Sequence, residues 1–147
     1  IKDADLQDMV TDWLADSGRA AVIRAIHLTL PWPPSINAYY MSVRGTPARM
    51  LTKRARQYRG DVVSAIRSAS GFPSMPPTAR LRLEVELRAP DCRQRDLDNH
   101  LKGLQDALMH AGVLPDDSQI DELVMRRGKN LKDGAALVML TELEDEP

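Results

Sequence analysis

Cysteine is nearly missing from this chain, and several other absences narrow the field before anything present is weighed. Cys92 stands alone, so no internal disulfide can form, which fits a reducing compartment. No general base or triad pattern accompanies it, which leaves it a small loop residue rather than a nucleophile. Uncharged apolar runs such as Ala135–Leu140 are far too short to cross a bilayer. The N-terminus is acidic and lacks the basic, then apolar, then small-residue order of a secretory signal. Repeats and low-complexity segments are also missing. These absences predict a cytoplasmic protein. With 147 residues, 43% of them hydrophobic and 28% charged, the composition is that of one globular domain with a modest core.

A net charge of −1 hides a strong asymmetry. Residues 1–20 hold five acids (Asp3, Asp5, Asp8, Asp12, Asp16) against Lys2 and Arg19, and residues 141–147 hold four acids and no base. Of the 20 basic and 21 acidic side chains in the chain, 18 and 12 therefore remain in residues 21–140. Within that middle, Arg44, Arg49, Lys53, Arg54, Arg56, Arg59 and Arg67 face a single acid, Asp61. Such a stretch suits a polyanion through phosphate contacts and counterion release. A solvated helix face would give the same pattern.

Hydrophobic periodicity divides the chain into an N-terminal extension, 1–21, and a domain, 22–147. Residues 3–16 have helical spacing and end at Ser17-Gly18. A strand is predicted over Val22–Leu30, stopped by Pro31, Pro33 and Pro34. An irregular segment follows to Met50. Thr52 is placed to cap a helix running to Ser70, with Tyr58, Val62, Ile66 and Ala69 on one face. In the next strand Leu81, Leu83, Val85 and Leu87 alternate with Arg82, Glu84, Glu86 and Arg88. A helix is predicted over Leu97–Ala111, with Gly112 in the left-handed terminating position. Strands over Ile120–Arg127 and Ala135–Glu142, joined by a turn at Lys129–Gly134, are read as a terminal hairpin. The order β, loop, α, β, α, β, β predicts an α+β domain with a mixed sheet of about four strands covered by two helices.

Chemistry concentrates in Arg93-Gln94-Arg95-Asp96-Leu97-Asp98-Asn99-His100-Leu101-Lys102. Asp96 and Asp98 sit where a loop gives way to a helix, and N-capping accounts for one of them readily. Two such acids beside a lysine one turn later are harder to explain that way. Asp98, Lys102 and Asp106 share a helix face at i, i+4 spacing, which a plain salt-bridged face would also produce. Asp116-Asp117, in the turn beyond the same helix, is by itself only a turn pair. If the two acidic regions converge, their oxygens form a hard donor set that selects Mg²⁺ or Mn²⁺. Arg93, Arg95 and Lys102 would bring cations to the same place, and a phosphodiester needs both kinds of group. His100 is expected on the helix surface, and Trp32 as a plug for the core.

Three blocks together resemble the RusA family of Holliday-junction resolvases. They are Leu30-Pro31-Trp32-Pro33-Pro34-Ser35-Ile36-Asn37-Ala38-Tyr39-Tyr40, then Arg95-Asp96-Leu97-Asp98-Asn99 with Lys102, then Asp116-Asp117 before an apolar strand. The resemblance spans residues 24–143, agrees in block order and spacing, and leaves out residues 1–22. It implies that Asp96, Asp98 and Asp117 bind metal and that Lys102 is essential; Asp116, which adjoins the third acid, is a further candidate metal ligand and a candidate for shaping the site. It also implies a homodimer using Mg²⁺ or Mn²⁺ to nick two strands of like polarity at a four-way DNA junction, often prophage-encoded. Arg93, Arg95, Asn37, Tyr40, Lys53, Arg54, Arg56 and Arg59 become candidate DNA contacts, with Asn37 and Tyr40 equally able to order the Pro-rich loop. Two competing functions remain at this stage: a catalytically silent junction-binding protein, and a magnesium-dependent nucleotide phosphohydrolase.

Overall fold

The computed structural model describes Asp8, Asp12 and residues 24–70 and 73–144. The helix expected over residues 3–16 lies, those two aspartates apart, outside the described residues, as do Val22 and Ile23 of the first expected strand.

The described elements are β1 (Ala25–Leu30), α1 (Ile36–Tyr39), β2 (Tyr40–Ser42), β3 (Arg49–Leu51), α2 (Lys53–Ser70), β4 (Leu81–Arg88), α3 (Leu101–His110), β5 (Ile120–Arg127) and β6 (Ala135–Glu142). Single 3₁₀ turns at Leu97–His100 and Asp117–Gln119 precede α3 and β5. Four strands form a mixed sheet in the order β1-β6-β4-β5, with β4 and β5 parallel and the other pairs antiparallel. β2 and β3 make a separate two-stranded arm inside the segment expected to be irregular.

One face of the sheet carries the core. Ile26, Leu28, Leu30, Leu81, Leu83, Val85, Leu87, Ala136, Val138 and Leu140 meet Tyr58, Val62 and Ile66 of α2 and Leu104 and Leu108 of α3. Each fully buried side chain of this size contributes about 1.5–3 kcal/mol of transfer free energy, so these two helical stripes hold α2 and α3 in place. Thr52 caps α2 as expected, its Oγ1 accepting from the Ala55 amide at 3.1 Å. Thr52 also donates to the Ala38 carbonyl at 2.5 Å, tying the start of α2 to the end of α1. Gly112, at φ +78°, takes the left-handed position after α3.

Two expectations are corrected. β5 and β6 are not a hairpin, because β4 lies between them. The link crosses the end of β4, where the Gly128 amide donates to the Leu87 carbonyl and the Leu131 amide to the Ala89 carbonyl. Residues 128–134 are long enough to step over two strand spacings, about 10 Å, whereas a tight turn could reach only a neighbour. Similarly, the helix expected over Leu97–Ala111 is broken at its start. Its first four residues form a 3₁₀ turn, and regular α-helix begins at Leu101. Parallel pairing of β4 and β5 requires a long crossover, and the 97–100 turn with α3 supplies it. That crossover carries the acidic motif at its start and delivers Asp116-Asp117 at its end.

Candidate active site

The loop entering the crossover is pinned from three sides. Arg95 pairs with Asp91 at 2.8 Å and lies over the Trp32 ring, 5.5 Å from its centroid. The Arg93 amide donates to Asp91 as well. The hydrogen bond from Arg95 and the one from this amide pull the Asp91 carboxyl down to about 2. Arg127, at the end of β5, donates to the Arg95 carbonyl at 2.8 Å. Trp32 is half-buried against the core, its ring tilted against that of His100 with centroids 4.7 Å apart.

His100 is buried, contrary to the surface position expected of it. Its Nδ1 meets the Pro33 carbonyl at 2.8 Å. A carbonyl can only accept, so Nδ1 is the protonated nitrogen. Burial pushes the His100 pKa down, with Arg95 and Arg54 adding to the effect. The ring braces the Pro-rich segment against the 97–100 turn.

Asp96 occupies the N-cap position of that turn, yet its side chain makes no capping hydrogen bond. Among the described residues neither Asp96 nor Asp98 has an ion pair or a side-chain hydrogen bond. Capping therefore leaves both carboxylates unexplained. At the other end of the crossover, Asp116 is the cap. Its Oδ1 accepts from the Ser118 amide at 2.8 Å, while Gln119 Oε1 accepts from the Asp116 amide at 3.0 Å. These bonds close a reciprocal capping box, and the Ser118 amide holds the Asp116 carboxyl below the usual range. Gln119, itself buried, donates to the Pro76 and Ala79 carbonyls at 2.9 Å each. Sequence reasoning passed over Gln119, whose only signal was its place three residues after an N-cap acid.

This rigid turn presents Asp117 to α3. Lys102 Nζ lies 3.6 Å from Asp117 Oδ2 and 3.4 Å from Asp106 Oδ1. Asp117 thus meets the lysine one turn beyond Asp98, and β5 packs along the 97–100 turn. Among the described residues no three histidine, cysteine or acidic side chains are gathered as a ready-made metal-holding group. The cation beside Asp117 is the Lys102 ammonium. By donor chemistry the set fits a hard divalent cation, being all carboxylate oxygen.

The candidate DNA contacts divide into two groups. Asn37, Lys53, Arg54, Arg56 and Arg93 are exposed, and Lys53 and Arg56 line a shallow surface cavity of about 430 Å³ with Gln57 and Gly60. Arg95, Arg59 and Tyr40 are instead engaged within the protein. Arg59 donates to the Tyr39 hydroxyl at 3.0 Å and lies 3.9 Å from Asp106. Tyr40 donates its hydroxyl to Asp106. Burial and this hydrogen bond push the Tyr40 pKa upward, so the hydroxyl stays a donor.

Comparison with known proteins identifies the family. The family model described as endodeoxyribonuclease RusA matches residues 31–140, a stretch that begins in the Pro-rich segment and runs into β6. The crossover junction endodeoxyribonuclease rusA of Enterobacteria phage HK97 is 41% identical over 115 residues, covering 78% of this chain and 92% of that protein. Its counterpart in Enterobacteria phage 82 is 34% identical over 120 residues, covering 82% and 97%. The RusA protein of Escherichia coli (strain K12) is 34% identical over 119 residues, covering 81% and 96%. With matches this long, bearing on the same acidic crossover, the chain belongs to the RusA family of endodeoxyribonucleases.

Proposed function

We propose that this chain is a crossover junction endodeoxyribonuclease that uses Mg²⁺, or Mn²⁺ in its place, and acts as a homodimer to resolve four-way DNA junctions by paired nicks. The observation that carries this reading is the pair of unpartnered carboxylates, Asp96 and Asp98, one helical turn from a lysine already seated against Asp117.

Asp96, Asp98 and Asp117 would hold the metal, with Asp116 shaping the turn that presents the third of them. When bound, such a cation polarises a phosphoryl oxygen and lowers the pKa of a bound water. Lys102 contributes a fixed positive charge at the same place, where it counters the negative charge that develops as the 3′ oxygen departs. Asn37, Lys53, Arg54, Arg56 and the exposed Arg93 would grip phosphates on either side, and Arg95 shapes the loop that delivers Asp96. Two symmetric cuts need two equivalent sites, which a twofold dimer supplies without a second specificity.

The direct test uses a labelled four-way junction and a matched linear duplex, each with Mg²⁺ or EDTA. Paired nicks are expected on the junction alone and only with metal. Metal-independent binding without nicks would instead identify an architectural protein, and turnover of small phosphoesters a nucleotide hydrolase. Asp98→Asn and Asp117→Asn are each expected to lower cleavage by at least about 10²-fold, the scale of losing a transition-state contact, with junction binding kept. Full cleavage by the double variant would remove the carboxylates from the mechanism.

A further inference from the structure

Asp106 takes no part in the chemistry just described, yet three elements converge on it. It lies on α3 and is only 8% exposed. Its Oδ2 accepts from the Tyr40 hydroxyl at the start of β2 and lies 3.9 Å from Arg59 Nη2 on α2. Its Oδ1 is left to face Lys102 Nζ at 3.4 Å. Arg59 is in turn fixed by the Tyr39 hydroxyl, whose neighbour ring is that of Tyr40. A linked set of side chains therefore runs from Tyr40 and Arg59 through Asp106 and Lys102 to Asp117.

The asymmetry of this linkage is informative. A lysine ammonium on its four-carbon stem is mobile and strongly hydrated, and the Lys102 side chain is 43% exposed. An ordinary exposed i, i+4 pair orders such a group weakly, because both partners move. Here one partner is held: Asp106 is buried, and its second oxygen accepts from the Tyr40 hydroxyl and lies within ion-pair distance of Arg59. The lysine must settle where the anchor is, and that place is 3.6 Å from Asp117.

We propose that Asp106 is a positioning residue that holds the Lys102 ammonium beside Asp117, with Tyr40 and Arg59 fixing Asp106 so that the hold is rigid. The inference rests on the reading of Lys102 as a catalytic group. Its signature is a defect in rate at saturating junction, with affinity unchanged.

The test compares the full-length protein with Asp106→Asn, Tyr40→Phe and Lys102→Met variants. Three quantities are measured: the single-turnover cleavage rate at saturating junction with Mg²⁺, the junction Kd in EDTA, and the ¹⁵N signal of the Lys102 ammonium. Asp106→Asn is expected to lower the rate by about 10²-fold, as displacement of a reacting group does, with Kd within about twofold and the ammonium signal lost to exchange. Tyr40→Phe keeps the ring and removes only the donor, and is expected to cost roughly tenfold in rate on the same scale. It decides the matter if Asp106→Asn fails to fold. A folded Asp106→Asn or Tyr40→Phe protein cleaving at the wild-type rate, with Lys102→Met inactive, would overturn the positioning role alone. Wild-type cleavage by Lys102→Met would overturn the lysine's catalytic role, and this proposal with it. Loss of affinity with an unchanged saturating rate would make Asp106 a structural residue only.

Discussion

Carboxylates in this protein do different work according to what holds them, and type alone does not reveal which. Asp91 is consumed by Arg95, Asp116 by the amide of its own turn, and Asp106 by Tyr40 and Lys102. Asp96 and Asp98 keep their oxygens free of protein partners among the described residues. Removing the Asp116 cap should lower stability and loosen the turn that presents Asp117. Asp116→Ala is therefore expected to melt a few degrees lower, and its cleavage rate should fall by more than that modest destabilisation explains. Thermal melting and single-turnover assays measure the two losses. Protonation adds a second residue-scale expectation, at His27. Burial lowers its pKa in the folded chain, so the unfolded chain binds the proton more readily. Its contribution is therefore harmless above about pH 6.5 and destabilising as pH falls from there toward the lower folded value. The melting temperature should drop across that window, and His27→Gln should flatten the drop.

At the scale of elements, what matters is how closely α3 can approach its neighbours. Gly103 faces α1, and a Cβ built there would come within 2.8 Å of the Tyr39 ring and 3.3 Å of the Pro34 carbonyl. The missing side chain lets α3 settle against α1, which brings Lys102 and Asp106 to the Tyr39-Tyr40 pair. Gly103→Val should cost about 1–3 kcal/mol by overpacking and displace Lys102 as well. Denaturant unfolding measures the first effect, and cleavage at saturating junction the second. A matching loss of stability at a remote core position, such as Leu83→Ala, should leave more activity once the protein is folded. The hairpin expected at the C-terminus belongs to this scale too. Its two strands were legible from their apolar runs, but which strands are neighbours depends on non-local pairing, and β6 lies between β1 and β4 because residues 128–134 step over a strand end.

Over the whole molecule, charge is divided between an inward and an outward set. Arg59 and Arg95 are spent on internal partners, while Lys53, Arg54 and Arg56 are exposed at the start of α2, Arg56 also donating to the Leu51 carbonyl at 2.8 Å. Each exposed cation that meets a phosphate should contribute about one unit to the slope of log K against log salt. Changing Lys53, Arg54 and Arg56 together to Ala should weaken junction binding and shallow that slope by about three units if all three make contact. Binding isotherms across a salt series measure it. An unchanged slope would move the DNA-binding surface away from α2.

Local chemistry was enough to fix several features from the sequence. Period-two and helical spacing located β4, β5, β6, α2 and most of α3, because both patterns depend on neighbours in the chain. The Thr52 cap and the Gly112 terminator follow from rules spanning four residues. The order of three motif blocks, with Asp96, Asp98, Lys102 and Asp117 among them, pointed to the family to which the chain belongs. Tertiary structure decided the rest: that His100 is buried, that Arg59 and Tyr40 turn inward, and that Asp106 rather than Asp98 is the partner of Lys102. Arginine, tyrosine and aspartate serve equally well at a surface or in a network. Only the packing of α1, α2 and α3 against one another determines which of their polar atoms lose water and must find partners inside the protein.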